Sequence, residues 1–271
     1  MAGISQRYYS CGAVWKGKET REAYLQRVGV TPYFEMPAWV NAHLPTEAVL
    51  LVVGDARGLY YERRFLTQTV FDEPLLSRAV RDGLDAQGIY RRLQEMGITH
   101  LAVNAEEGLR SAADYHHYDL SPGEWRRLND FEARALEPVA FLRQKAVYRL
   151  RDPAPVRDAH PGPNYLPYFS APGTDFIKAI SASDWTRANL RVEELIALDP
   201  GSPLGWEQKA QVASRLGQVQ EALSFFKQAG NRGILQPEGY RQWGALLESK
   251  ERRVEAEKVR QTARKWYPGL F

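Results

Sequence analysis

The sequence predicts an α/β domain followed by an all-α domain of paired helices, and three observations support this division. The segments AVLLVV at 48–53 and ITHLAVN at 98–104 have the pattern of strands buried on both faces. Prolines at 153, 155, 161, 163, 167 and 172 mark 152–174 as an extended connector that is not expected to build a core. Alanines follow at a spacing of 34 residues, twice in succession, at Ala188, Ala222 and Ala256. We therefore place the α/β domain at 1–151, the connector at 152–174 and the helical domain at 175–271.

Composition and charge set limits on function. The chain has 271 residues, of which 44% are hydrophobic and 25% charged, as in soluble globular proteins. Basic and acidic residues number 21 and 22 in 1–175, and 15 and 11 in 176–271. Neither half has the basic excess of a nucleic-acid binder, so no nucleic-acid partner is expected.

The single cysteine, Cys11, cannot form an internal disulfide or a zinc site alone, and it leaves the compartment open. No apolar run approaches the roughly 20 residues that span a bilayer. Residues 1–30 lack the apolar stretch of a signal peptide. Any contact with a membrane would therefore need a transmembrane region upstream of this chain.

The first half predicts a sandwich-like, Rossmann-like α/β domain with a mixed sheet. Its expected strands are 48–53 at the centre of the sheet, a segment near 65–70, 98–104, and a hairpin in 139–152 around Arg143–Lys145. Its expected helices are 18–28 with Thr20 as N-cap, 33–44, 73–82, 86–96 and 121–135. Pro37 must then lie in the first turn of its helix. Ser121, Pro122 and Glu124 form a capping-box pattern.

The loop after strand 48–53 is the candidate ligand site of this half. Ligands of open α/β sheets bind where strands end at their carboxyl edge, which here places Gly54, Asp55 and Arg57 at the site. The loop lacks the G-x-G-x-x-G pattern, and a structural salt bridge between Asp55 and Arg57 is the competing interpretation. No nucleophile elbow, P-loop, HExxH or CxxC motif occurs, so neither catalytic residues nor a cofactor are predicted.

The five histidines do not indicate a metal site. His116 and His117 are adjacent, and neighbouring side chains rarely point at one metal, so a surface loop is favoured there. His100 is expected to be a structural residue of its strand, and His43 and His160 have no cluster of ligands around them.

The second half keeps one register over three helix pairs. Small residues recur where paired helices approach, as at Ala222 and Ala229, and large ones where the next helix fills a gap, as at Phe226. Over 170–271 the chain resembles the tetratricopeptide family, although Ser183 and Glu251 occupy the turn position held by Gly217. An ordinary helical bundle with coincident alanines is the competing interpretation.

The resemblance implies binding of protein segments in a concave groove lined by the first helix of each pair. In this register the groove would present Glu207, Gln211, Arg215, Arg241, Gln242 and Glu248. The equally weighted alternative is that the repeats only pack against the α/β domain, because the groove lacks a cluster of basic residues.

A second resemblance covers about residues 20–150. The order of a helix, N-A-H-L-P, an apolar strand, a Tyr-rich segment and G-I-T-H-L is similar to that in the soluble tail of bacterial membrane glycosyltransferases of the dolichyl-phosphate-mannose–protein mannosyltransferase type. Catalysis in that family uses acidic residues of the membrane-embedded part, so the resemblance implies no catalytic residue here. It implies a periplasmic accessory region for acceptor recognition or assembly.

Three functional hypotheses follow. The first is a non-catalytic interaction region of such a glycosyltransferase, on the periplasmic side of the membrane. The second is a small α/β protein that binds a nucleotide or sugar phosphate at Gly54, Asp55 and Arg57. The third is a free cytoplasmic scaffold.

Overall fold

The computed structural model describes residues 12–20, 23–24, 31–69, 71–115, 118–142, 144–155 and 162–267. Several residues discussed above lie outside these ranges, namely Cys11, His116, His117, Arg143, His160 and Pro161. Most of the helix predicted at 18–28 also lies outside them. At its start, the Thr20 hydroxyl accepts the backbone N–H of Ala23 at 3.1 Å, as expected of an N-cap.

One mixed sheet organises the first half of the chain, with five strands in the order β2-β1-β3-β5-β4. The strands are β1 (Val49–Val53), β2 (Arg64–Leu66), β3 (His100–Asn104), β4 (Leu136–Leu142) and β5 (Lys145–Leu150). β1 is parallel to β2 and β3, whereas β5 is antiparallel to β3 and β4. The expectation that 48–53 forms the central strand is wrong, because the β4–β5 hairpin extends the sheet beyond β3 and leaves β3 in the middle.

Helices cover both faces of β1 and β3, which explains their continuous apolar sequences. Helix α2 (Thr31–His43) packs Met36 and Val40 against Leu50 and Val52 on one face. Leu51, Val53, Leu101 and Val103 point to the opposite face and join the main core there. A short helix α1 (Gly12–Trp15) precedes α2. Pro37 lies inside α2 and not in its first turn, because the helix begins at Thr31.

Within the described part of this half, the further helices are α3 (Leu75–Arg81), α4 (Ala86–Glu95), α5 (Ala105–Tyr115) and α6 (Pro122–Ala135). Asp85 caps α4 by accepting the N–H of Gly88 at 2.8 Å. The predicted capping box of α6 is present, with both reciprocal bonds between Ser121 and Glu124. Helix α5 was not predicted.

The connector contradicts expectation in its second half. A 3₁₀ turn, Leu166–Phe169, places Leu166, Tyr168 and Phe169 at 5% exposure or less in the main core. Helix α7 (Ala171–Ser181) already begins within the range assigned to the connector. Proline content predicts where regular helix and sheet are interrupted. It carries no information on whether the aromatic residues between the prolines are buried or exposed.

Six helices form three successive hairpins in the second half. The pairs are α7 with α8 (Trp185–Leu198), α9 (Pro203–Arg215) with α10 (Val219–Arg232), and α11 (Pro237–Ser249) with α12 (Arg253–Trp266). Each turn has one left-handed residue, Ser183 (φ 57°), Gly217 (φ 77°) and Glu251 (φ 60°), again 34 residues apart. Ala188, Ala222 and Ala256 are fully buried. The 34-residue register is therefore a property of the backbone and of the core.

The main core runs without a break from the sheet into the hairpins. It contains Leu101 and Phe131 of the first half together with Phe176, Val192 and Val212 of the second. The last two hairpins share a separate cluster around Phe226 and Leu247. None of the described helices combines the length and the apolar character needed to cross a bilayer.

Candidate functional site

The loop after β1 is tightly packed against α5. Gly54 has φ +82°, and a Cβ at this position would lie 2.5 Å from the Asn104 carbonyl oxygen and 2.9 Å from Gly108 Cα. Because these contacts are to backbone atoms, only glycine fits. The crevice between the carboxyl ends of β1 and β3, where open α/β sheets bind ligands, is thus occupied by α5.

The polar groups of this loop bind one another. Asp55 is 8% exposed and accepts bonds from Arg57 Nε at 2.8 Å and from Asn104 Nδ2 at 2.8 Å. Arg57 also forms an ion pair with Glu107 of α5 at 3.2 Å. The structure therefore brings Gly54, Asp55 and Arg57 together, but in an arrangement that fixes α5 to β1. This geometry favours the structural salt bridge among the two sequence interpretations.

His100 is a structural residue of β3. It is 8% exposed, and its Nδ1 lies 2.8 Å from the Thr99 hydroxyl. Burial and the nearby Arg149 guanidinium lower the pKa of His100 and favour the neutral ring. Among the described residues, no cluster of three or more His, Cys, Asp or Glu side chains is close enough to hold a metal ion.

A second site lies where the first helices of the hairpins meet the α/β half. This central cavity has a volume of about 330 Å³ and is bounded by α5, the β4–β5 turn, the 3₁₀ turn, α7, α9 and the start of α11. Leu109 of α5, Ile177 and Ile180 of α7 and Leu204 of α9 form its apolar wall. The volume is at the lower end of the roughly 300–1,000 Å³ of ligand pockets.

Polar side chains line most of the rest of the central cavity, and one of them, Glu238, is a carboxylate. Four are amides, and they come from the β4–β5 turn, α9 and the segment before α11: Gln144, Gln208, Gln211 and Gln236. Each amide offers both a donor and an acceptor. The cavity thus combines apolar surface with amide groups and one carboxylate, and no cation lines it among the described residues.

Two tyrosines from the segment predicted as a connector, Tyr165 and Tyr168, also line the cavity. Tyr165 accepts a hydrogen bond from Gln236 Nε2 at 3.3 Å. Tyr168 is 5% exposed, and its hydroxyl has no hydrogen-bond partner within the described part of the chain. Burial raises the pKa of Tyr168 well above its usual value, so the hydroxyl stays protonated. An unsatisfied buried hydroxyl is costly. Because this oxygen has almost no accessible surface, a ligand in the cavity does not reach it.

The prediction that Glu207 faces the partner-binding groove is wrong. Its side chain is fully buried and accepts the backbone N–H of Gln236 at 2.9 Å, at the start of α11. Gly239 allows this close approach, since a Cβ there would lie 2.5 Å from the Glu207 carboxyl carbon. Burial raises the pKa of Glu207 to about 8. The residue joins α9 to α11 and does not face the groove.

The other predicted groove residues are not gathered at one place. Gln211 lines the central cavity. Arg241 and Gln242 both contact Glu238 at the cavity rim, at 3.6 Å and 2.9 Å. Arg215 stacks over the Trp185 ring, 5.6 Å from its centroid. Glu248 forms an ion pair with Arg260 of α12.

Sequence reasoning missed Gln208, Tyr165 and Tyr168. Gln208 lies three residues before Gln211 on the same helix, a spacing that places both on one face. The tyrosines had no such signal, because they lie in the segment taken for a connector without core residues.

This chain matches no family model, no curated protein and no solved structure. The function of the central cavity therefore has to be argued from its own geometry.

Proposed function

We propose that this chain is a non-catalytic interaction module of the tetratricopeptide type that binds a peptide segment of another protein in the central cavity. The observation that carries the proposal is the cavity itself, in which four glutamine amides surround an apolar wall. The 34-residue register of left-handed turns and buried alanines supports the assignment to that repeat type.

A peptide fits this lining better than a charged small molecule. Peptide backbone presents alternating donors and acceptors, which amides and phenols can pair with in either sense. The apolar wall of Leu109, Ile177, Ile180 and Leu204 offers space for a side chain. Glu238 at the rim disfavours an anionic ligand. We expect a neutral or basic segment bound through its backbone.

A random peptide display library tests the proposal. Peptides selected on the wild-type protein should bind the Gln208→Trp variant at least about tenfold more weakly, because the indole fills the cavity. Gln261→Trp, an exposed position of α12, is the control for adding an indole. Peptides that bind Gln208→Trp as well as wild type, or a selection that enriches none, would contradict the proposal.

We further propose that the module belongs to a membrane glycosyltransferase and recognises its acceptor on the periplasmic side. The support is the motif order described above, which the fold arranges as α2, β1 and β3. An antibody against 176–271 should detect the protein in the membrane fraction, and external protease should digest the epitope in intact spheroplasts. Recovery in the cytoplasmic fraction would instead favour the cytoplasmic scaffold.

The nucleotide or sugar-phosphate alternative has no observation in its favour. A phosphate at the loop after β1 would have to compete for Arg57 with two carboxylates, Asp55 and Glu107. A thermal-shift screen with nucleotides, nucleotide sugars and polyprenyl phosphates tests it. A shift that is lost in Arg57→Ala would revive this alternative.

A further inference from the structure

A groove on the outer side of the last two hairpins is independent of the central cavity. It lies between the second helices, α10 and α12, and α11 forms its floor. Its volume is about 590 Å³. A neighbouring cavity of about 280 Å³ shares Lys227, Trp243, Leu247 and Glu255 with it, so that the two form one elongated depression along α11. We call this depression the outer groove.

The floor of the outer groove is aromatic and aliphatic. Trp243 lies on α11, and a Cβ at Gly230 of α10 would be 2.9 Å from its ring. The Trp243 ring also stacks on Phe226, with centroids 6.2 Å apart and an angle of 10°. Trp266, which is 46% exposed, stands at one end. A floor of this kind fits large apolar side chains, and Gly230 lets the Trp243 ring pack directly against the backbone of α10.

The charges around the outer groove are predominantly positive. Among the residues that the structure describes, those with charged side chains in the lining are three cations, Lys227, Lys258 and Arg252, and one carboxylate, Glu255. Arg252 binds Glu255 through two hydrogen bonds of 2.7 Å. Lys227 on α10 and Lys258 on α12 form no ion pair with any described residue. Their ammonium groups stand on opposite walls and are available to an occupant.

The pKa of the nearby Glu255 is consistent with a positive electrostatic potential at this surface. Its pKa is lowered, first by the hydrogen bond from Arg252 and further by the charges of Arg252, Lys227 and Lys258. An acidic segment would therefore meet a favourable potential along this surface.

We propose that the outer groove is a second docking surface, which binds an acidic amphipathic segment of a partner protein. Large apolar side chains of that segment lie on Trp243 and Trp266, and its carboxylates pair with Lys227 and Lys258. The two lysines select against basic and neutral segments of the same apolar pattern, which distinguishes this surface from the central cavity, where Glu238 is the charged lining residue among those described.

Three fluorescein-labelled peptides of about 14 residues test the chemistry by fluorescence polarisation. The first has Leu and Phe at i, i+3, i+4 and i+7 with Asp and Glu elsewhere. The second has Lys in place of the acidic residues, and the third has Ala in place of Leu and Phe. We expect the first to bind at least about tenfold more tightly than the other two. Equal binding of the first two, or no binding of the first, would overturn the proposal.

Variants locate the binding. Lys227→Glu/Lys258→Glu should weaken the first peptide at least about tenfold. Lys18→Glu/Lys178→Glu makes the same change of net charge at exposed positions away from the groove and should keep affinity within about twofold. Trp266→Ser tests the apolar contact, and Gln208→Trp, which blocks only the central cavity, should have no effect.

Sedimentation equilibrium tests whether a second copy of this chain, and not a partner protein, occupies the outer groove. The wild-type protein should stay monomeric across the concentrations used. Self-association that disappears in Lys227→Glu/Lys258→Glu would assign the groove to a second copy of this chain and overturn the proposal, whatever the result for the central cavity.

Discussion

At the scale of single residues, Glu207 makes the stability of the chain depend on pH. Its carboxyl is buried at the start of α11, and burial raises its pKa from 4.5 to about 8. Between these values the folded chain holds a proton that the unfolded chain has released. Stability from this group is therefore fully present below about pH 4.5 and is lost as the pH rises towards about 8. The loss is at most about 1.4 kcal/mol per pH unit.

Glu207→Gln should remove this dependence, because the amide stays neutral and its oxygen can still accept the Gln236 N–H. We expect the variant to gain on wild type in free energy of unfolding as the pH rises, measured by urea titration from pH 5 to 8. Glu221→Gln, at an exposed position of α10, is the matched control. The phenols around Glu207 do not titrate in this range, since burial raises the pKa of Tyr165 and Tyr168. A parallel pH profile for Glu207→Gln and wild type would contradict this assignment.

Substitutions at Gly54 and Gly97 allow the energetic cost of a steric clash to be distinguished from that of backbone strain. Both have positive φ, +82° and +75°, but a Cβ meets backbone atoms only at Gly54 and has nothing within 4 Å at Gly97. We expect Gly97→Ala to cost about 1 kcal/mol from strain alone. Gly54→Ala should cost about 2–4 kcal/mol, since α5 must also move. Similar losses in thermal unfolding would show that α5 does not press on this loop.

The sequence contained part of the information at this scale. Asp55 and Arg57 were placed correctly as neighbours, because their positions follow from the end of β1. The burial of Glu207 was not predictable in the same way. Helical periodicity puts it on the face of Leu204 and Gln211, but which neighbour that face meets depends on how α9 and α11 cross.

At the scale of elements, the hairpin turns were well predicted and α5 was missed. The signal for α5 was present, since Asn104 accepts the N–H of Glu107 at 3.3 Å and acts as its N-cap, with Glu106 and Glu107 in the first turn. The start of α5 was not recognised in the sequence because β3 ends at Asn104 and the helix begins at Ala105, with no loop between them. Periodicity located the hairpins because helix length and turn length repeat together.

The three turns differ in sequence but share one backbone conformation, which gives a prediction. Ser183 and Glu251 adopt φ of 57° and 60°, where glycine has no Cβ penalty. We expect Ser183→Gly and Glu251→Gly each to raise the free energy of unfolding by about 0.5–1 kcal/mol, and Gly217→Ala to lower it by about 1 kcal/mol. Denaturant titration of the three variants checks this. Destabilisation by both glycine substitutions would mean that the side chains, and not the backbone, govern these turns.

At the scale of the whole molecule, the sheet and the first hairpin form one unit. Asn129 of α6 donates to the carbonyl oxygen of Leu198, at the end of α8, at 2.6 Å. Asn164 donates to Asp199 at 2.8 Å. Phe169 packs against Tyr118, with ring centroids 5.0 Å apart, and against Gly108 of α5. The boundary drawn from proline content thus passes through a core, because composition describes backbone regularity and not which aromatics are buried.

Because the core is continuous, we can predict which elements lose hydrogen-exchange protection when a buried side chain is truncated. Phe169→Ala and Phe226→Ala each remove a buried phenylalanine, at 1% and 0% exposure, and each should cost about 3–5 kcal/mol. Phe169 belongs to the main core, whereas Phe226 belongs to the cluster of the last two hairpins. In hydrogen exchange, Phe169→Ala should reduce protection in both β3 and α8, because one core supports the two elements. Phe226→Ala should reduce it first in α10–α12 and leave β3 protected. Loss confined to one side of residue 170 in Phe169→Ala would instead show two independently stable domains, as the proline pattern first indicated.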